Sequence, residues 1–369
     1  MQISSEMALA TLSLAVGAIS FGEQWWTLGL SIVFPIILYR SESRICAFFV
    51  SLLYHLGASK ALAIAAGGFF DENVFLGIII WLAGNLVCAG VYTCLWSARR
   101  ELRIITIPIA MILLSVPPFG VLGWANPLIA AGVIFPGSGV LGFVYLLGLY
   151  ACLSTGSYRL AKLFAVLSLW CFFSAPTLKK APIVGLSSRF SKTSDNGLGD
   201  YNRQSELLEN SQGKKGKILL MPEAVVTGGW TEAGQRFWSR EKRTVLIGTE
   251  IKISRPENVI VNVKTGQTYF QRQPIPFSMW RPFDSDTYNS HWFENPILRA
   301  EGLKVAPLIC YEGFLVWPIV HSYLSGGKFI AATGNYWWAK DSQIPQIHES
   351  IIKSWSRLFS MPYAMAVNL

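Results

Sequence analysis

The chain is poor in charged residues, and this shortage excludes an ordinary soluble globule. Only 14% of its 369 residues are charged, whereas 52% are hydrophobic. Soluble proteins typically devote about 25% of their residues to charge. The sequence also lacks a P-loop, a G-x-S-x-G motif and any cluster of metal ligands, and its four histidines are scattered. We therefore expect no metal, no cofactor and no histidine-based catalytic triad.

The first half of the chain is apolar enough to predict membrane helices, each of which needs roughly 20 apolar residues. Seven candidate segments occur, and the first two are short enough to form a tilted or re-entrant pair instead. The segments lie at about 6–22, 26–39, 45–67, 74–96, 104–123, 127–152 and 159–177. The sequence thus predicts a multi-pass α-helical membrane domain over residues 1–177, followed by a second domain over residues 178–369.

Basic residues in the predicted loops are asymmetric, which predicts the orientation in the membrane. They follow the second, fourth and sixth segments but not the first, third or fifth. The basic residues are Arg40, Arg44, Arg99, Arg100, Arg103, Arg159 and Lys162. Because such loops stay cytoplasmic, we expect a bacterial inner-membrane protein whose C-terminal domain is periplasmic. Loop charges and a basic solvated face explain the net charge of +9 without direct nucleic-acid binding.

The second domain alternates strand-like and helix-like stretches, which is typical of an α/β fold. Short apolar runs with polar or glycine flanks predict its strands. The predicted strands are Ile183–Leu186, Ile218–Met221, Val245–Gly248, Val259–Val263, Val305–Ile309, Phe329–Ala332 and Tyr363–Asn368, and the predicted helices cover 198–211 and 346–360. Polar residues at the carboxyl ends of these strands are candidates for one shared site.

Cys310 is the one cysteine of the second domain, so it cannot form a disulfide within that domain. It is either an inert buried thiol or a nucleophile. Glu223 follows another predicted strand, Ile218–Met221. A carboxylate in that position can take the thiol proton as general base and so create a thiolate nucleophile.

Three motifs resemble the carbon–nitrogen hydrolase, or nitrilase, superfamily. They are Met-Pro-Glu-Ala at 221–224, the spacing from Tyr269 to Pro-Phe at 276–277, and Leu-Ile-Cys-Tyr-Glu at 308–312. The resemblance implies an αββα sandwich with a Glu-Lys-Cys triad. A multi-span half before such a domain is similar to apolipoprotein N-acyltransferase, in which the cysteine carries an acyl chain from phospholipid to the amino group of a lipoprotein.

The same resemblance extends to residues around and beyond the cysteine. It implies a substrate-binding set that consists of Tyr311, Glu312, Asn335, Trp337, Trp338 and His348. The catalytic lysine of the superfamily is absent, because Gln271 stands at its position and Arg272 follows. Loss of one oxyanion donor can cost roughly 2.7–4 kcal/mol of the barrier. Either Arg272 or Gln271 supplies that donor, or the site is degenerate.

The membrane half resembles the TraB proteins of conjugative plasmids in the phrases at 58–60, 118–125 and 131–137. This resemblance implies a role in conjugation or mating-apparatus assembly, with the conjugative transfer apparatus as a partner. Two function classes remain open. One is an active cysteine amidase or acyltransferase with a phospholipid or lipoprotein-like substrate, and the other is a scaffold that binds lipid, lipoprotein or mating-apparatus partners without catalysis.

Overall fold

The computed structural model describes residues 2–69, 73–178, 182–190, 197–226 and 232–369. The chain has a helical N-terminal region followed by an α/β region with two sheets. It divides into two compact units: the first comprises residues 1–177, 314–317 and 341–360, and the second comprises 178–313, 318–340 and 361–369. Two segments of the predicted second domain therefore belong to the first unit.

The described helices of both units are numbered here in chain order. They are α1 (Gln2–Ser20), α2 (Val33–Arg40), α3 (Arg44–Ala58), α4 (Lys60–Phe69), α5 (Val74–Leu95), α6 (Arg100–Leu113), α7 (Ala131–Ile134), α8 (Leu141–Thr155), α9 (Tyr158–Ser174), α10 (Gly197–Ser211), α11 (Glu232–Trp238), α12 (Val316–Leu324) and α13 (Ile344–Phe359). The predicted helices over 198–211 and 346–360 are confirmed as α10 and α13.

Among the described helices, only α5 is by itself long and apolar enough to cross a bilayer. Helices α3 and α4 pass the same test together, but they meet at an angle of 68°. The predicted span 45–67 is therefore broken, with the Ser59 hydroxyl bonded to the His55 carbonyl at 2.6 Å. Seven apolar segments thus do not become seven helices of spanning length, because composition counts apolar residues without detecting breaks between them.

Helix α13 packs within the first unit through small residues and hydroxyl groups. A Cβ atom at Gly132 would lie 2.0 Å from the Ser354 carbonyl oxygen, so glycine is required for this approach. The Ser354 hydroxyl donates to the Ile129 carbonyl at 2.8 Å. Phe143 makes edge contacts with the rings of Trp355 and Phe359. The apolar side chains of this helix are therefore buried in the first unit.

The second unit contains a five-stranded and a four-stranded sheet. The first has the order β1 (Ile183–Gly185), β2 (Ile218–Leu220), β3 (Thr244–Lys252), β4 (Pro256–Asn262) and β5 (Thr268–Phe270), and the second has the order β6 (Leu298–Ala300), β7 (Leu303–Ile309), β8 (Phe329–Asn335) and β9 (Tyr363–Asn368). All seven predicted strands are confirmed. The two that the apolar pattern missed, β5 and β6, have three residues each.

Parallel pairing brings polar residues to common sheet edges. Strands β1, β2 and β3 are parallel, as are β7, β8 and β9, while β4 and β5 turn back antiparallel. The core of the first sheet includes Leu219, Ile247 and Val261, together with Leu207 from α10 and Trp238 from α11. Residues that follow β2 and β7 therefore leave the sheets at strand carboxyl ends, where sites commonly form.

Candidate functional site

Cys310 occupies a strained turn at the carboxyl end of β7. The strand ends at Ile309, and a 3₁₀ helix, Cys310–Phe314, begins immediately after it. Cys310 is buried and has a φ of +49°, in the left-handed region that non-glycine residues rarely adopt. Strain of this kind often accompanies function and persists only where neighbouring contacts enforce it.

Glu223 lies three residues beyond the end of β2, in a loop that crosses closely over β3. The Val225 N–H donates to the Gly248 carbonyl at 3.1 Å. A Cβ atom at residue 248 would lie 2.2 Å from the Pro222 carbonyl oxygen, so only glycine permits this crossing. Ala224, the next residue, also has a left-handed φ of +49°. The loop thus holds the Glu223 side chain in the interior, where it is 4% exposed.

A chain of amide hydrogen bonds links Glu223 to the residue before Cys310. Asn258 Nδ2 donates to Glu223 Oε1 at 2.5 Å and to Gln271 Oε1 at 3.1 Å. Gln271 Nε2 donates in turn to the Ile309 carbonyl at 3.1 Å. Glu223 Oε2 and Asn258 Oδ1 are both buried and have no hydrogen-bond partner within the described residues. The described side chains that bond to Glu223 are therefore neutral, and Glu223 Oε2 and Asn258 Oδ1 are two acceptors without described donors.

Burial is the main cause of the shifted pKa of Glu223, and its polar neighbours moderate the shift. Burial raises the pKa of the Glu223 carboxyl from 4.5 to about 7, while Asn258, Cys310 and the Asn335 backbone oppose the rise. Burial and the adjacent Glu223 carboxylate raise the pKa of the Cys310 thiol well above its usual value of 9.0. The resting thiol is therefore protonated at neutral pH, beside a carboxyl group poised to exchange a proton.

Glu312 lies two residues after Cys310 and is held in a second buried cluster. Its carboxylate accepts hydrogen bonds from the Ile309 N–H at 2.7 Å, the Tyr269 hydroxyl at 2.8 Å and the Arg272 N–H. Arg272 Nε lies 3.7 Å from Glu312 Oε1, and both side chains are completely buried. These bonds fix the turn that carries Cys310.

The two residues near the expected lysine position point into different clusters. Gln271 joins the amide chain to Glu223, as described above. The Arg272 guanidinium donates to the Tyr269 hydroxyl at 2.8 Å and to the Ser322 hydroxyl at 3.2 Å, and it is paired with Glu312. Neighbouring residues of an extended chain project to opposite sides, which explains the separation. Of the two expected oxyanion donors, only Gln271 is hydrogen-bonded within the Glu223 cluster.

The substrate-binding set predicted from the sequence is divided between the two units. The Asn335 and Tyr311 backbones both interact with the Cys310 sulfur. The Trp338 indole donates to the Asn335 carbonyl at 3.0 Å, and Trp337 is half-buried. His348 belongs to α13 of the first unit, where it stacks on Phe314 at 5.0 Å and burial lowers its pKa to about 3.

Sequence reasoning missed Asn258 and Tyr336. Asn258 follows Glu257 in β4, and the two polar residues directly precede the apolar run Val259–Val263. Tyr336 is buried, and the nearby Cys310 and Glu223 contribute to a pKa well above its usual range. Asn258 offered a weak signal, because a buried strand that contains an asparagine needs a polar partner inside.

Comparison with known proteins gives a family but little further structural information. No family model matches the chain. Among solved structures, a Nesterenkonia AN1 amidase of the nitrilase superfamily is 12% identical, over 44% of this chain and 68% of that chain, with a TM-score of 0.32. A second amidase structure from Nesterenkonia is 13% identical, over 42% of this chain and 63% of its own, with a TM-score of 0.30. TM-scores this low do not establish a shared fold.

Two curated proteins match nearly the whole chain. The conjugal transfer protein TraB of Agrobacterium fabrum is 33% identical over 391 residues, which cover 98% of this chain and 92% of that protein. The probable conjugal transfer protein TraB of Sinorhizobium fredii is 30% identical over 382 residues, which cover 98% and 97% of the two chains. The chain therefore belongs to the TraB family of conjugal transfer proteins.

Proposed function

We propose that this TraB protein is a membrane-bound cysteine amidase or N-acyltransferase that acts in conjugal transfer at the periplasmic face of the inner membrane. One observation carries the proposal: the Glu223 carboxyl, with a pKa of about 7, lies in a buried site beside the Cys310 thiol. A general base is most effective when its pKa is near the working pH. An inert buried thiol has no need of a costly buried carboxyl beside it.

In the proposed reaction, an acyl group is transferred first to the Cys310 sulfur and then from that sulfur to an acceptor. Glu223 takes the Cys310 proton as the sulfur attacks the acyl carbon, and the leaving group departs with that proton. An amide substrate gives a thioester and a free amine in this step, and an ester donor gives a thioester and an alcohol. Water or an acceptor amine then attacks the thioester, which releases an acid or a new amide. Glu223 takes a proton from the attacking water or amine and passes it to the departing Cys310 sulfur, which restores the thiol.

Neutral donors would have to stabilise the oxyanion in place of a lysine. Gln271 Nε2 makes one hydrogen bond among the described residues, to the Ile309 carbonyl, and an amide nitrogen has two N–H groups to donate. Asn335 and Tyr311 add backbone groups that interact with the sulfur. The two buried acceptors without donors, Glu223 Oε2 and Asn258 Oδ1, suit a substrate that carries N–H groups. This complementarity supports carbon–nitrogen chemistry, with a phospholipid or a lipoprotein-like protein as the acyl-bearing molecule.

Exposed apolar side chains support the membrane location. They cover the outward faces of three helices and form a surface that water would solvate poorly. They include Val74, Phe75, Ile79, Leu82, Leu86 and Val87 in α5, Ile105, Ile109 and Ile112 in α6, and Leu163, Val166, Trp170 and Phe173 in α9. With the asymmetric loop charges, this supports a multi-pass arrangement with the second unit outside. An alkaline phosphatase fusion after residue 200 should be active and one at residue 100 inactive, and the reverse pattern would refute the periplasmic location.

The alternative is a scaffold that keeps this architecture without turnover and binds mating-apparatus partners. One observation favours it: no cationic side chain is hydrogen-bonded to Glu223, Cys310 or Gln271 in the described residues. A thiolate or an oxyanion would therefore be stabilised by neutral dipoles alone, which are weaker than a charge.

Substitution of Cys310 separates the two functions. For Cys310→Ala we expect loss of DNA transfer between mating cells, while membrane insertion and the amount of folded protein stay at wild-type levels. Cys94→Ala, at an exposed cysteine of α5, is the matched control and should transfer normally. An acyl thioester on Cys310 of the wild type, detected by mass spectrometry, would identify the acyl group. Normal transfer by Cys310→Ala would establish the scaffold instead.

A further inference from the structure

Two cationic side chains of α13 lie against one tryptophan of the first unit. Lys353 Nζ is 4.8 Å and Arg357 Cζ is 4.6 Å from a ring centroid of Trp25. Arg357 Cζ also lies 5.8 Å from the ring centroid of Phe172, in α9. Residues four apart on a helix are neighbours on one face, so Lys353 and Arg357 offer an anion two adjacent cationic side chains.

Neither charge is neutralised within the described part of the chain. Lys353 and Arg357 make cation–π contacts there but no salt bridge. Glu23 also contacts α13, but its carboxylate accepts from Gln343 Nε2 at 3.1 Å and its carbonyl accepts from the Ser350 hydroxyl at 3.0 Å. Like charges four residues apart on one helix repel each other.

The guanidinium of Arg357 also carries a donor without an acceptor. Its Nε atom is buried and has no hydrogen-bond partner among the described residues. A buried donor left unsatisfied is costly, and arginine presents its N–H groups in a planar fork that matches an oxyanion. An anion would therefore relieve two deficits at once, the repulsion between the cations and the unpaired N–H group.

We propose that Lys353, Arg357 and Trp25 form a binding site for a phosphate group. Phosphate offers several acceptor oxygens to the arginine fork and the ammonium group. The group belongs either to a phospholipid headgroup or to free phosphate. Three exposed aromatic side chains lie beside the site: Trp26 and Phe172 are each 57% exposed, and Phe173 is 81% exposed. They offer a surface to acyl chains and therefore favour the lipid as the source of the phosphate. The proposal does not depend on the chemistry at Cys310.

Native mass spectrometry of the full chain in detergent tests this site, with phosphatidylglycerol as the probe. The double variant Lys353→Gln with Arg357→Gln should retain the lipid at least about tenfold more weakly than the wild type, because both charged donors are lost. The matched control is Arg240→Gln with Lys242→Gln, an exposed pair after α11 with the same loss of charge. The control should retain the lipid as the wild type does.

A competition experiment distinguishes a phospholipid headgroup from free phosphate as the ligand. Excess inorganic phosphate should not displace the lipid if the headgroup is the ligand, whereas full displacement identifies free phosphate. Lys353→Arg keeps the charge and should bind normally. If the double variant fails to fold, Lys353→Gln alone should still weaken retention several-fold. Equal retention by the wild type, the α13 variants and the control after α11 would overturn the proposal.

Discussion

Two buried glutamates lie on either side of Cys310 in the sequence of the second unit, and their surroundings are opposite. Glu312 accepts hydrogen bonds from Tyr269 and two backbone N–H groups and is paired with Arg272. Glu223 has one bonded oxygen, one oxygen without a partner in the described residues, and no cation bonded to it. Glu312 therefore holds the structure, whereas Glu223 retains unused bonding capacity.

The pKa values of the two glutamates differ for the same reason. Burial raises the pKa of both carboxyl groups, but at Glu312 the guanidinium of Arg272 and three hydrogen-bond donors oppose the rise. At Glu223 the opposing interactions are neutral, and the pKa reaches about 7. A fully bonded carboxylate paired with arginine contributes to structure. A carboxyl group that titrates near neutrality can move a proton under physiological conditions.

The largest expected effect is on stability, at the fully bonded glutamate. Glu312→Ala would leave the buried Arg272 charge without its partner, and breaking such a pair typically costs about 3–5 kcal/mol. We expect a correspondingly lower free energy of unfolding, measured by denaturant titration in detergent. Glu206→Ala, at an exposed glutamate of α10, is the control and should change little. A loss below about 1 kcal/mol at Glu312 would remove the structural role we give to this cluster.

The second prediction concerns the pH dependence of stability at Glu223. Its folded-state pKa of about 7 lies above the usual 4.5, so the folded protein binds this proton more tightly than the unfolded chain. The associated stability is fully present below pH 4.5 and is lost as the pH rises through 7. By pH 8 the loss is on the order of 3 kcal/mol.

Glu223→Gln removes this titration and therefore isolates its contribution. Relative to the wild type, the variant should gain stability between pH 5 and pH 8, as measured by unfolding at both values. Glu206→Gln, at an exposed position, controls for the general effect of pH. Parallel stability profiles for the wild type and Glu223→Gln would mean that Glu223 titrates normally and is not the poised base.

The effect of Glu223 on the reactivity of the Cys310 thiol is smaller in free energy. If Glu223 activates Cys310, alkylation of Cys310 by iodoacetamide should accelerate as the pH passes about 7 in the wild type. Glu223→Gln should slow it at least about tenfold at pH 7.5, because general-base assistance is lost. Peptide mass spectrometry measures the rate, and exposed Cys94 in the same sample is the internal control. Equal rates in the two proteins would show that the two side chains do not cooperate.

The sequence predicts the positions of both glutamates but not the hydrogen-bond partners that distinguish them. Strand-end position and motif order are enough to identify Glu223, Cys310 and Glu312, because functional side chains commonly follow the carboxyl ends of parallel strands. Strands β2 and β7 belong to different sheets, so strand pairing does not by itself bring Glu223 to Cys310. Asn258 was missed because it reaches Glu223 from an antiparallel strand, a pairing that no local pattern reveals. The separation of Gln271 from Arg272 could have been expected from alternation along an extended chain.

The last prediction places a cationic side chain near Glu223, as Arg272 already lies near Glu312. Gln271→Lys places an ammonium group in the position that is hydrogen-bonded to Asn258 and next to the chain segment that ends at Ile309. A positive charge within about 4–6 Å favours the ionised forms of both Glu223 and Cys310, and it lowers each pKa by roughly 1–3 units. The pH profile of Cys310 alkylation should therefore shift to lower pH by at least about one unit.

Gln267→Lys makes the same substitution at an exposed position and should leave the profile unchanged. A shift would mean that the site still accommodates the charge it lacks. An unchanged profile for a folded Gln271→Lys protein would mean that residue 271 does not face the reacting groups, and Gln271 would then lose its place as the oxyanion donor.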